Sequence, residues 1–179
     1  MAIYLILFWL LLTGGESKSS EDLTVSPNEK QLFELINTYR ISRGLEAVPL
    51  SPALTRVAQV HAKDLMDNYQ QSKRCNMHSW SKEGAWTDCC YKDNHKDPNC
   101  MWEKPKEIAG YDSPGYEIAY WHSAAALPED ALEVWKKSPG HHAVLANLPP
   151  FNAANWKAMG VGIYKEYAVV WFGEMEDIP

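Results

Sequence analysis

Apolar positions in the first half of the chain recur at the spacing of a helix. Leu32, Leu35, Ile36 and Tyr39, with Arg43 beyond them, fall on one stripe. The stripe begins after Ser26-Pro27-Asn28-Glu29, where a serine at the N-cap, a proline at the first helical position and a glutamate placed to close a capping box mark a start. Gly44 is placed to end it. Ser51-Pro52 repeats the start signal, and Leu54, Val57, Ala58, His61 and Leu65 mark a second amphipathic helix. A lone histidine on an apolar face is read as a hydrogen-bonded core residue, which leaves His61 outside the candidate site.

From about Met77 to Gly115 neither the helical nor the strand period persists, and this stretch reads as one long loop. Gly115 to Trp121, GYEIAYW, reads as a short helical piece, and Pro128-Glu129-Asp130 opens another helix through Ala131, Leu132 and Trp135. Ser138-Pro139 starts one more, with Ser138 as its cap and His141 and His142 close to its first amides. MGVGIY and YAVVWFG, split by Lys165-Glu166, are β-rich runs that predict an antiparallel hairpin. Helices followed by strands point to the α+β class.

The N-terminus changes the picture from fold to address. An apolar run of about a dozen residues followed by TGGES matches the h-region and cleavage zone of a signal peptide. Residues 1–18 are therefore expected to be removed on export, residues 19–25 to form a flexible leader, and residues 26–176 to form one domain. The run is shorter than the ~20 apolar residues that cross a bilayer, so no transmembrane segment is expected in the mature chain. A net charge of −6 without a basic cluster excludes nucleic acid as a partner. The four cysteines, Cys75, Cys89, Cys90 and Cys100, lie in one stretch, and in an exported chain they read as two disulfides that fix the long loop. A bridge between adjacent Cys89 and Cys90 would strain the backbone, so Cys75 and Cys100 each take one of them, in either pairing.

Several of these pieces occur together in an order that resembles the CAP superfamily, the SCP-like group of cysteine-rich secretory proteins, antigen 5 allergens and plant pathogenesis-related proteins. The carriers are the two opening helices, His78 in CNMHSW, Trp135 to His141 as W-K-K-S-P-G-H, and the closing MGVGIYKEYAVVWFGE. The W-x-x-S-P-G-H form is similar to bacterial-type members, and the similarity covers Ser26 to Glu174. It implies an α-β-α sandwich, a central antiparallel sheet flanked by helices, here with a disulfide-stapled long loop. It further implies that His78 and His141 are the cleft histidines and that Glu117, by a one-residue shift in Gly115-Tyr116-Glu117-Ile118-Ala119, is the cleft carboxylate. Ser138 stands where animal-type members carry a second glutamate, so the full two-histidine, two-glutamate tetrad is absent.

If His78, His141 and Glu117 converge, two imidazoles and a carboxylate can hold a divalent, zinc-like ion with an open position. Hydrolysis by a metal-bound water with Glu117 as base is the alternative; no H-E-x-x-H, no G-x-S-x-G and no activated nucleophile supports a further one. The segment from Asp93 to Asn99 offers oxygens but has a histidine at its third position and no glycine, and reads as a solvated turn rather than a calcium loop. Trp80, Trp86, Trp102 and Tyr116 either form a recognition surface for a lipid, glycan or peptide, or simply pack the loop. The preferred reading is a secreted or periplasmic binding module with a histidine-based cleft that takes an extracellular ligand. A metal-dependent hydrolase and a structural domain with an inert cleft are its alternatives.

Overall fold

The computed structural model of the protein describes residues 23–70 and 74–177. The signal peptide and most of the leader expected over residues 1–25 lie outside the described residues.

Helix α1 (Pro27–Ser42) starts with the capping box its sequence announces: Glu29 N–H donates to Ser26 Oγ, and Ser26 N–H donates to the Glu29 carboxylate at 2.7 Å. Helix α2 (Pro52–Asn68) is capped by Ser51, whose Oγ accepts from Leu54 N–H at 2.9 Å. Strands β1 (Gly115–Trp121), β2 (Ala158–Tyr164) and β3 (Tyr167–Gly173) form an antiparallel sheet in the order β1-β3-β2, with β2 and β3 joined as the expected hairpin. Helices α5 (Pro128–Lys137) and α6 (Pro139–Leu145) follow β1.

The period of two along the strands divides the sheet's faces between two cores. Ile118, Tyr120, Met159, Val161, Val170 and Phe172 pack with Leu32 and Ile36 of α1 and with Leu132 and Trp135 of α5. Ala119, Ala158, Val169 and Trp171 pack with Leu54, Val57, Ala58 and Leu65 of α2 and with Trp80, Tyr91 and Met101 beyond it. The result is the α-β-α sandwich. On the second side α2 lies directly on β2, because a Cβ at Gly160 would stand 2.0 Å from the Leu54 carbonyl carbon and one at Gly162 would stand 2.3 Å from that of Ala58. On the first side the Trp135 indole N–H donates to the Ala119 carbonyl at 3.0 Å and pins α5 to β1.

Three expectations need correction. GYEIAYW is strand β1, not a helical piece: a short apolar run buried on both faces has no period that separates strand from helix, and its aromatic and β-branched side chains settle it as strand. The region from Met77 to Gly115 is not one loop, since it holds helices α3 (Asn99–Trp102) and α4 (Lys104–Ala109) and a bridge between Trp80 and Cys89. Ser138 stands at the N-cap of α6 but its side chain makes no capping bond. The disulfides pair Cys75 with Cys90 and Cys89 with Cys100. No helix of the described residues is long and apolar enough to cross a membrane.

Candidate functional site

The odd positions of β1 face α2, so Glu117 enters the molecule from the sheet as a buried carboxylate, 6% exposed. Two rings meet it. His61, carried by α2 and fully buried, places Nδ1 2.5 Å from Glu117 Oε2, and His78, carried by the stapled segment, places Nδ1 2.7 Å from Oε1. The other nitrogen of His61 lies 3.0 Å from the Ser79 carbonyl oxygen, and the ring stacks on Trp80 at 4.0 Å between centroids.

Hydrogen-bond accounting fixes the protons. The Ser79 carbonyl only accepts, so His61 Nε2 carries a hydrogen. Burial pushes the Glu117 carboxyl upward, but the charge of His61 and the hydrogen bonds from both rings outweigh it and hold the group below the usual carboxylate range. Glu117 thus accepts from both Nδ1 atoms, and one proton beyond a neutral ring is held between His61 and Glu117. For His78 the consequence is a set tautomer: Nδ1–H points to Glu117 and a neutral ring keeps its lone pair on Nε2.

His141 comes from the first turn of α6, and its ring lies 6.2 Å from that of His78 between centroids. Its Nδ1 is buried with no partner among the described residues. Burial, reinforced by the neighbouring His78 and opposed by Glu117, pushes its pKa down to about 4, so the ring is neutral at neutral pH. His142, next to it, turns to the Tyr39 hydroxyl at 2.6 Å instead.

His78, Glu117 and His141 line a cavity of about 430 Å³ whose walls include Tyr91, Trp102, Tyr116 and Phe151. The size is that of a ligand pocket, and the walls are mostly apolar around a few convergent polar atoms. Of the four aromatic residues singled out in the sequence, Trp102 and Tyr116 line this cavity. Trp80 is buried between His61 and Trp86, and the Trp86 indole donates to the Ser81 carbonyl, so both serve packing. A depression of about 680 Å³ beside α4 is lined by no histidine among the described residues, and its lysines are engaged: Lys104 with Glu107, Lys106 with Asp112. The segment from Asp93 to Asn99 spends its side chains locally, Asp93 accepting from Asn76 and Asn94 from Lys96 N–H, as a turn does.

The structure therefore brings His78, Glu117 and His141 together and adds His61, which sequence reasoning assigned to the core. That assignment is right about burial and misses the partner. The available signal was a polar residue in the apolar stripe of α2 opposite a carboxylate at an inward strand position; with β1 read as helix, the inward position of Glu117 was not visible. Among the described residues, no group of three or more His, Cys, Asp and Glu side chains is arranged to hold a metal ion. The available ligand atoms are on the imidazoles of His78 and His141, with the carboxylate of Glu117 turned to His61 and His78.

The architecture has relatives among solved structures. An extracellular protein containing an SCP domain from Bacillus anthracis aligns over 85% of this chain at 22% identity with a TM-score of 0.57, and over 45% of its own length. An outer surface protein of Borrelia burgdorferi aligns over 86% of this chain and 96% of its own at 16% identity and a TM-score of 0.55. A cysteine-rich secretory protein from Staphylococcus aureus aligns over 85% of this chain and 40% of its own at 14% identity and 0.57. The chain thus spans less than half the length of the Bacillus and Staphylococcus proteins. No curated protein matches the sequence. The family model described as the cysteine-rich secretory protein family, CAP, matches residues 33–170, well over half of the chain, and on that match the chain belongs to this family.

Proposed function

We propose that the protein is an exported binding module of 26–176 whose cleft takes an extracellular ligand at His78 and His141, with a divalent ion such as zinc. The observation that carries the reading is the hydrogen bond from His78 Nδ1 to Glu117, because it leaves Nε2 as a donor atom across from a neutral His141. Two neutral imidazoles suit zinc, and a bound ion would supply a Lewis acid with open positions for a ligand. Glu117 acts here as the partner that sets the tautomer and orientation of His78, the part a carboxylate plays behind a metal-bound histidine. Export is supported by the apolar leader over residues 1–18, by two disulfides, which persist in oxidising compartments, and by relatives named as extracellular or outer-surface proteins.

A metal-dependent hydrolase needs a carboxylate free to act as base, and both oxygens of Glu117 are engaged by rings. The binding reading is favoured for that reason. Its test is calorimetric titration of zinc into the chelator-treated mature protein. Uptake is expected in the wild type, lost in His78→Ala and His141→Ala, and weakened about 10- to 100-fold in Glu117→Gln. Undiminished uptake in His141→Ala would remove that residue from the site and the reading with it.

A further inference from the structure

The cavity beside His78 does not end at His141. The same ring lines a second, open recess of about 810 Å³, formed by the other half of β1, the end of α2 and Val134 of α5. Tyr116 and Glu117 belong to the first recess, Ala119 to Trp121 to the second, so the two follow one another along a single strand. Trp121 lines the second recess and stands 46% exposed. It is exposed but fixed: its indole N–H donates to Glu166 Oε2 at 3.0 Å, which holds the ring's orientation. Beside it, His122 Nδ1 accepts from Ala124 N–H, so its Nε2 carries the hydrogen and can donate. One carboxylate oxygen of Glu166 remains to accept.

The charges and the backbone narrow the occupant. Among the described residues no lysine or arginine lines either recess, so a phosphate, sulfate or fatty-acid headgroup meets no counter-charge there. An acyl chain fits the first recess but would lie against Glu166 and His122 in the second. A peptide adding as a strand to β1 is obstructed, since β3 occupies one edge and, on the other, the Ala119 carbonyl is taken by the Trp135 indole. What suits fixed aromatic faces beside neutral or planar polar groups is a chain with apolar C–H faces and uncharged hydroxyls.

We propose that the two recesses form one groove for a linear, uncharged oligosaccharide, with aromatic platforms at Trp121 on one side and at Trp102 and Tyr116 on the other, crossing His141 between them. This deepens the binding reading and rests on the cleft being a ligand site; it does not require the metal. The test is a fluorescence titration of the chelator-treated mature protein with cellohexaose, chitohexaose and laminarihexaose, beside the matching trisaccharides and phosphatidylcholine vesicles. At least one hexasaccharide is expected to saturate the signal, to bind at least tenfold more tightly than its trisaccharide, and to lose at least tenfold in Trp121→Ala. Calorimetry reports the same loss independently of the removed fluorophore. Zinc uptake is expected to be unchanged in Trp121→Ala, which separates the two claims: lost zinc binding with retained saccharide binding sinks the metal reading alone. Absence of saturation by all three hexasaccharides, equal binding by trisaccharides, undiminished binding in Trp121→Ala, or binding of the vesicles in their place overturns the groove.

Discussion

Helix α2 is held from two sides by opposite means. Toward the sheet it rests on bare backbone, with Gly160 and Gly162 leaving no room for a side chain between β2 and the helix. Toward the cleft it is held through specific bonds, His61 to Glu117 of β1 and, in the segment from Arg74 to Gly115, His61 to Ser79 and Asp64 to Ser81, while two disulfides fix that segment's own course. Close packing tolerates no substitution but needs no chemistry. The bonded side is built of polar groups whose worth depends on every partner being present. The candidate site lies on the bonded side, with the sheet delivering Glu117 and the stapled segment delivering His78.

That contrast can be broken at four points. Gly160→Ala carries the largest expected effect, because its Cβ would overlap the Leu54 backbone rather than a side chain that can turn away; a loss of about 3 kcal/mol or more is expected in denaturant unfolding. His61→Ala follows at about 3 kcal/mol, since it strips a buried carboxylate of one of its two donors; Glu117→Gln is expected to cost less, as no charge is left behind. Replacing Cys75 and Cys90 by serine removes a bridge of sequence separation 15 and is expected to cost at most about 3 kcal/mol. Its hydrogen-exchange signature should be confined to the stapled segment, with β2 and α2 still protected. Protection lost throughout would mean that the packed side depends on the staples, and the comparison would fail.

Acidification is the mildest perturbation and has a defined sign. His141 falls from 6.5 to about 4 in the folded protein, and Glu117 lies below its ordinary 4.5, so in both cases the unfolded chain binds more protons as the pH drops. The stability these groups contribute is intact above pH 6.5. The share of His141 declines from there toward pH 4, and that of Glu117 goes below 4.5. Melting temperatures should fall between pH 7 and pH 5, and His141→Ala should flatten that part of the curve. A rise on acidification would contradict the assignment.

The packed side was legible in the sequence and the bonded side only in part. The capping box at Ser26, the cap at Ser51, the helical stripes and the GVG hairpin are local signals, and Ser26, Ser51 and Gly160 act where their patterns place them. Strand β1 misled because burial on both faces erases periodicity, and with it went the inward direction of Glu117. Helices α3 and α4 are four and six residues long, too short for a period to register. The cysteine count gave two bridges, but which cysteine takes Cys89 is decided by the path of the segment. His78 and His141 were found through family motifs; His61 needed the strand's register, which local pattern does not contain.

The account turns on one carboxylate committed to two rings, and long-range nitrogen–proton correlation NMR on ¹⁵N-histidine-labelled, metal-free protein at pH 7 reads that commitment directly. Protons on both nitrogens of His61, or one shared with Glu117, together with a proton on His78 Nδ1, are the predicted result. A His78 protonated at Nε2 with Nδ1 bare would contradict it, because the hydrogen bond to Glu117 that orients the cleft would then be absent.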